Sequence, residues 1–476
     1  MNQPRRTKIV ATLGPSTDKE GVTAALIEAG VNTFRCNMSH GSHEEHSKRI
    51  AFVRDYNREH SKTVGILIDL QGPEIRTGEF QCGMIILADG DTFSLDTQMD
   101  PKQGTQECVS VTYKDLPKDV EEGDLLLLDD GLIELLVQNV TETRIDCKVV
   151  VGGPLSGKKG LNRKGGGLTA EALTENDERD IAFAVEQQAD YIAPSFVKTA
   201  EDVKHVRNLI YAAGGHSHII AKIETALAID NLDEIVAAAN GVMVARGDLG
   251  VERDDADLPG LQKLIIKKAR SANRLVIVAT QMMDSMINSP VPTRAEVFDV
   301  ANAVLDGTDA VMLSGETAAG KYPLKVVQNM DRVCRRAERE QTAKLSHHRL
   351  GETFEYFDES IAMAAMYIAN HLGAKCIATL TESGATAMYM SRISSGVPIY
   401  ALSTHPETRT RISLYRGVYP ITHNPTASEH VSFNQEVIDE LKNAGAVVPG
   451  DKLIITKGDL RGDAGGTNAL KLILVN

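Results

Sequence analysis

Eight short apolar, β-branched runs recur between residues 8 and 315, and they constrain the fold more than any other feature. They are KIVATL (8–13), VNTFRCN (31–37), VGILID (64–69), YIAPSF (191–196), IIAKIE (219–224), GVMVAR (241–246), LVIVAT (275–280) and AVMLSG (310–315). Their apolar residues are continuous rather than alternating, the pattern of parallel strands covered on both faces. Helix-like segments lie between them, among them EGVTAALIEAG (20–30), AEDVKHVRNLIYAAG (200–214) and LPGLQKLIIKKARSAN (258–273). Eight βα units predict a (β/α)8 barrel, with a doubly wound sheet as the alternative.

Neighbouring runs are 23 to 35 positions apart, except that 125 separate Leu67 from Ile192. One βα connection therefore carries about a hundred extra residues, too many for a structureless loop. Inside it, TFSLD (92–96), CVSVTY (108–113), DLLLLDD (124–130) and IELLVQNV (133–140) are short strand-like runs broken by Gly, Asp and Asn, which predicts an inserted all-β lid domain over 73–171. The barrel then comprises 1–72 and 172–340, 241 residues against the ~250 typical of the fold. Beyond about 340 the period changes. The helix-like ESIAMAAMYIANHLGA (359–374) is followed by KCIATL, VPIYALS and KLIITKG as strands, predicting a C-terminal doubly wound α/β domain over 341–476.

A net charge of −14, from 51 basic and 65 acidic residues, argues against nucleic acid or an anionic membrane as the partner. No run of 18 apolar residues occurs, so no membrane-spanning helix is expected, and residues 1–14 lack the apolar stretch of a secretory leader. The six cysteines, at 36, 82, 108, 147, 334 and 376, stand far apart without metal-site spacing, as expected of reduced thiols in a cytoplasm.

Polar residues closing the C-terminal ends of barrel strands face the active site. Here they are Arg35, Asn37, Ser39 and His40; Asp69; Ser195; Lys222 and Glu224; Arg246 and Asp248; Thr280; and Ser314 with Glu316. Any one alone reads equally as a layer ion pair or a capped turn. Five charged ends on one rim predict a functional site. Lys222 and Glu224, two apart on a strand, point the same way. Glu224 and Asp248 offer two hard oxygens to Mg2+, and Lys222 a fixed cation where negative charge would develop. The Gly-flanked RGDLG turn offers backbone N–H groups to a carboxylate or phosphate. A Schiff-base aldolase would also use a lysine, but the adjacent acidic pair ranks that second.

His40, His43 and His46 suggest zinc, yet the spacing is not HExxH, and Ser42 with Glu45 predicts a helix capping box instead. In GKKGLNRKGGG (157–167), Gly165–Gly167 read as a hinge. Lys158 and Lys159 belong either to that flexible hinge or to a lid reaching over nucleotide phosphates. In the last domain TESGATA opens a helix after a strand, an anion site in outline. GDLRGDAGGTN (458–468) is a second Gly-rich loop able to close over it, and its RGD tripeptide (461–463) reads as chance.

In order along the chain, RRTKIVATLGP, FRCNMSHG, IDLQGPEIRTG, AKIE, VMVARGDLG, ATQMMDSM and PTRAEVFDVANAVLDGTDAVMLSGETAAGKYP resemble the motifs of the pyruvate kinase family, over essentially the whole chain. The resemblance implies a barrel with an inserted lid and a C-terminal regulatory domain. It implies phosphoryl transfer from phosphoenolpyruvate to ADP, giving pyruvate and ATP, with Mg2+ (or Mn2+) and K+ as cofactors. A cytoplasmic homotetramer, with neither nucleic acid nor membrane as partner, is implied as well. By similarity Arg35 holds the transferring phosphate and Lys222 stabilises its charge. Glu224 and Asp248 ligate Mg2+, the Gly247–Asp248 backbone receives the substrate carboxylate, and Thr280 lies beside the enolate. Asn37, Ser39, Asp69 and the main-chain oxygen of Leu70 resemble a K+ site. Arg76 and Lys159 grip ADP phosphates, with Asn37 and His40 nearby.

Leu70 and Gln71 depart from the Thr and Lys that many members carry, and Glu74 resembles the choice of K+-dependent members, whose alternative is Lys. Thr381, Ser383, Gly384 and Thr386 would line the effector loop. Glu382 stands there where fructose-bisphosphate-activated members tend to carry a basic residue. A carboxylate repels a phosphate, so a sugar monophosphate or AMP is expected as activator. The alternative function, a Mg2+-dependent barrel aldolase or lyase acting on enolpyruvate or keto acids, has little use for Arg76, Lys159 or a lid. A non-catalytic metabolite-binding barrel predicts loss of Arg35, Lys222, Glu224 or Asp248, and all four are present.

Overall fold

A computed structural model of the chain describes residues 4–340, 351, 353–425, 430–459 and 465–476. Eight parallel strands close into a barrel in chain order: Lys8–Thr12, Thr33–Asn37, Gly65–Asp69, Tyr191–Ala193, His218–Ile223, Gly241–Ala245, Leu275–Ala279 and Ala310–Leu313. The first strand pairs on one side with the second and on the other with the eighth, Val10 lying opposite both Thr33 and Met312. Alternate residues divide between two cores, as strand geometry demands. Ile9, Ile66, Ile68, Val242 and Val311 pack outward with helix residues such as Leu26, Ile50 and Ile265. Val10, Leu67, Tyr191, Ile220, Met243, Ile277 and Met312 fill the interior.

The fourth strand stops at Ala193, although its apolar run continues to Phe196. Pro194 has no N–H for the ladder, and Phe196 adopts φ +51°, outside the strand region. The early stop releases Ser195, Phe196 and Lys198 into a loop at the rim.

The insert between the third and fourth strands is a lid of two sheets. One pairs Met84–Leu87 with Gly153–Ser156. The other has six strands in the order Leu161–Arg163, Leu125–Leu128, Ile133–Val140, Arg144–Val151, Thr92–Asp96 and Cys108–Ser110. Phe93, Leu95, Leu126, Leu135 and Ile145 form its own core. The chain returns to the barrel through Gly165, Gly166 and Gly167, at φ +86°, +78° and +97°. Three successive left-handed residues are costly for anything but glycine.

The C-terminal domain is a five-stranded sheet, ordered Val418–Thr422, Ile399–Ser403, Cys376–Leu380, Lys452–Gly458 and Thr467–Leu474, with four parallel strands and an antiparallel last one. It stoppers the end of the barrel opposite the strands' C-termini. Tyr191 donates its hydroxyl to Arg411 O at 2.8 Å and Lys8 its ammonium to Val418 O, and the barrel's interior core runs on into Ala362, Ile377 and Ile412. The boundary expected at 340/341 adjoins 341–350, and the RGD at 461–463 falls within 460–464; both stretches lie outside the described residues. The six cysteines are unpaired. No helix among the described residues is long and apolar enough to cross a membrane.

Candidate active site

The free rim of the barrel gathers charge around Lys222. Its Nζ lies 2.9 Å from Glu224 Oε1, 3.1 Å from Asp69 Oδ1 and 2.5 Å from Ser195 Oγ. Ser195 Oγ donates in turn to Leu70 O at 2.7 Å. Arg35 donates from Nε to Asp69 Oδ2 at 2.5 Å and from Nη1 to Thr12 Oγ1 at 3.2 Å. Burial alone would raise the Asp69 carboxyl, but Arg35 and Lys222 outweigh it and hold the group below the usual carboxylate range. Burial likewise disfavours the Lys222 ammonium, and Asp69, Glu224 and Asp248 together hold it above its usual value. The three carboxylates favour the charged form of Lys222, whereas a Schiff-base lysine reacts in its neutral form.

Burial raises the pKa of Glu224, and Asp248 adds to the effect against Lys222. Burial raises Asp248 too. Glu224 Oε2 accepts from Phe196 N at 2.7 Å, which fixes the carboxylate. Asp248 lies in the first turn of the helix Arg246–Glu252. The sequence reading gave a turn there; the chain passes from strand directly into helix.

Thr280, at φ +65°, sits in a left-handed conformation that is unfavourable for a β-branched residue by roughly 1–3 kcal/mol. Arg246 holds it there, donating to Thr280 O at 2.7 Å and Ala279 O at 3.3 Å while pairing with Asp299 at 2.6 Å. The strained residue turns its hydroxyl towards Gly247, whose N–H donates to Thr280 Oγ1 at 2.9 Å.

Two cation sites can be tested against these groups. Asp69 Oδ1 is buried and receives no hydrogen bond, Lys222 being its ion-pair neighbour, so it retains lone pairs for a further cation. Asn37 lies opposite Asp69 in the strand register, and its Oδ1 accepts from Ser39 N at 3.2 Å. With the Leu70 carbonyl these are hard oxygens suited to K+. Glu224, buried, and Asp248, half-buried at the edge of the lid cavity, are two carboxylates that suit Mg2+ bound by one or two carboxylates plus substrate oxygens.

Arg76, Lys159, Asp129, Phe196, Lys198 and Asp248 line part of a cavity of about 270 Å³ between lid and barrel. Arg76 donates to Glu74 Oε2 at 2.5 Å and to Lys158 O at 2.8 Å, and Lys159 pairs with Asp129 at 2.9 Å. Lys158 instead pairs with Glu79 at 2.6 Å, so Lys159 is the lysine of the pair that borders the cavity. Asn37 and His40 are not among its lining residues. The exposed His40 accepts at its carbonyl from His46 Nε2 at 2.8 Å. Ser42 and Glu45 form the expected capping box, and His43 pairs with Asp180 at 2.6 Å and stacks on Phe183. The sequence reading missed Phe196, Lys198 and Asp129; proximity to Ser195 was the one available signal for the first two.

In the C-terminal domain Gly384, at φ +92°, turns the chain into the helix Ala385–Arg392; a Cβ there would lie 2.5 Å from Ile412 Cγ2. Thr381 Oγ1 accepts from Gly384 N at 2.9 Å and Ser383 Oγ from Ala385 N at 3.4 Å. Thr386 turns inward and bonds Thr467 Oγ1 at 2.9 Å. Glu382 meets His405 Nε2 at 2.7 Å.

Residues 4–327 match the family model of the pyruvate kinase barrel domain, and 359–473 that of the pyruvate kinase alpha/beta domain. The chain is 50% identical over 475 residues to pyruvate kinase II of Salmonella typhimurium and 49% identical over 475 residues to the pyruvate kinase of Buchnera aphidicola subsp. Baizongia pistaciae. It is 48% identical over 475 residues to the pyruvate kinase of Haemophilus influenzae. Each match covers 99% of both chains.

Proposed function

The chain belongs to the pyruvate kinase family and transfers the phosphoryl group of phosphoenolpyruvate to ADP, giving pyruvate and ATP, and from that premise we propose how its own residues carry the reaction. Arg35 and Lys222 neutralise the phosphoryl group as its bond to the enol oxygen breaks and a bond to the terminal ADP oxygen forms. The reacting groups need positioning and charge neutralisation more than covalent help. Glu224 and Asp248 hold Mg2+, or Mn2+ in its place, and Asn37, Ser39, Asp69 and Leu70 O hold K+. These cations supply further neutralisation of the phosphoryl charge.

The substrate carboxylate takes the N–H groups of Gly247 and Asp248, displacing the Thr280 hydroxyl from Gly247. The released hydroxyl lies beside the enolate and helps arrange delivery of a proton to its methylene carbon. Arg76 and Lys159 exchange Glu74 and Asp129 for ADP phosphates, and Asn37 and His40 approach them when the lid closes. Closure excludes water that would otherwise take the phosphoryl group. The clustering of Lys222 with Asp69 and Glu224 within 3.1 Å, on the rim whose Phe196 and Asp248 border the lid cavity, is the observation that carries this reading.

In Mg2+ and K+, pyruvate and ATP are expected in equal amounts and only with ADP present. Pyruvate formed without ADP would overturn the roles given to Arg76 and Lys159. The same reading has a cytoplasmic homotetramer, activated by a sugar monophosphate or AMP through Thr381, Ser383 and Gly384, with Thr386 supporting the loop from inside. Glu382 supports that choice, since it adds negative charge where a second phosphate would need a cation. AMP or a pentose or hexose monophosphate should lower the half-saturating phosphoenolpyruvate concentration, and fructose bisphosphate should not; activation by the bisphosphate alone would reverse the assignment.

Glu74→Lys should weaken the dependence on K+, because a lysine supplies the positive charge the ion otherwise brings. Stimulation by KCl at constant ionic strength is expected to fall to about twofold or less. An unchanged K+ response would show that Glu74 plays no part in the cation site.

A further inference from the structure

The loop that follows the truncated fourth strand touches both ends of the lid and two groups of the active site. At the outgoing hinge Gly72, at φ +72°, lies so close that a Cβ there would be 2.7 Å from Ser195 Cβ and 2.9 Å from Phe196 Cδ2. At the returning hinge the half-buried Lys198 donates from Nζ to Leu168 O and to Ala170 O, both at 2.7 Å. The same loop contacts Lys222 through Ser195 Oγ and Glu224 through Phe196 N. It is fastened to the barrel behind: Asp202 accepts from Lys198 N and Thr199 N at 2.9 Å each, and Lys198 O accepts from Asn231 at 2.9 Å.

We propose that Lys198 is a positioning residue that anchors the glycine hinge Gly165–Gly167, setting the lid's closed pose over the nucleotide while Ser195 and Phe196 hold Lys222 and Glu224. The proposal rests on the lid cavity being the ADP site. Lys198 borders that cavity, but its ammonium is engaged by the two hinge carbonyls, so it acts on ADP through the hinge. Three consecutive glycines give the return strand wide conformational freedom. Two charge-assisted bonds to carbonyls just beyond them confine where that freedom ends.

Lys198→Met is expected to raise the KM for ADP about tenfold and lower kcat several-fold, with the KM for phosphoenolpyruvate changing less than about twofold. Lys198→Arg, which can still bridge two carbonyls, should restore most of the loss. Trypsin reports the hinge directly, because the exposed Lys164 borders Gly165. Cleavage after Lys164 in the absence of nucleotide should be several-fold faster in Lys198→Met than in the unaltered chain. Unchanged cleavage with a raised KM for ADP would mean direct nucleotide contact and would overturn the anchoring role. Equal rises in both KM values without rescue by Arg would reduce Lys198 to a general structural residue and overturn it as well. Should Lys198→Met fail to fold, Lys198→Gln in the same cleavage assay carries the test, and native-like cleavage there overturns the proposal. Absence of ADP-dependent pyruvate formation in the unaltered chain would instead count against the nucleotide site itself.

Discussion

Lys222→Met is expected to lower kcat by about a thousandfold while shifting the KM for phosphoenolpyruvate by less than about threefold. The ammonium sits in a buried cluster whose carboxylates, Asp69 and Glu224, are within 3.1 Å. In that low-dielectric setting the proposed mechanism has its charge matter most while the phosphoryl group is between oxygens. Removing one oxyanion donor typically costs 10²–10³ in kcat, and here the donor carries a full charge. Lys222→Arg should recover little, because a planar guanidinium cannot reproduce the convergence of Asp69, Glu224 and Ser195 on one nitrogen. Steady-state kinetics with a thermal scan of each variant checks this, since unpairing Asp69 and Glu224 also affects stability. Near-native turnover in the methionine variant would end the role assigned to Lys222.

The same cluster shows what can be read without coordinates. Eight runs such as LVIVAT and AVMLSG are apolar on both faces because each strand is covered outside by helices and inside by its opposite neighbours. The pattern alone therefore gave the barrel, and the two-residue spacing of Lys222 and Glu224 gave their common direction. Strand ends were harder. Phe196 and Thr280 take left-handed conformations at φ +51° and +65°, which neither an aromatic nor a β-branched residue announces. Distant residues engage both: the Glu224 carboxylate accepts from Phe196 N, and Arg246 donates to Thr280 O. Lys198 carried no motif, because its role depends on carbonyls 28 and 30 positions away. The lid's three-residue Leu161–Arg163 strand and the five-residue C-terminal Val418–Thr422 carry little signal of their own for a related reason. Short strands are defined by their pairing partners more than by their own residues.

Asp309→Ala should destabilise the chain by about 3–5 kcal/mol, and the thermal midpoint should fall by roughly 10 °C. Asp309 immediately precedes the eighth barrel strand and is fully buried. It accepts from Nη1 of Arg392 at 2.9 Å and also from Nη2, from Val276 N at 3.0 Å and from Arg416 N at 3.0 Å. Arg392, itself 1% exposed, ends the helix Ala385–Arg392 of the C-terminal domain, so this one carboxylate binds that domain to the barrel floor. Arg270 is also close: burial, then repulsion from Arg392 and Arg416, lowers its pKa to about 9. Alanine would leave the buried Arg392 guanidinium, with Arg270 and Arg416 nearby, without its carboxylate, the situation in which breaking a buried pair costs most. Removing a partner as well should relieve it. Asp309→Ala with Arg392→Met is therefore expected to be more stable than Asp309→Ala alone, with a coupling of about 2 kcal/mol or more. Additive losses in that cycle would show that Asp309 acts through its backbone donors, Val276 and Arg416, and that the domain junction draws its stability from the apolar core that runs from Met312 to Ile377.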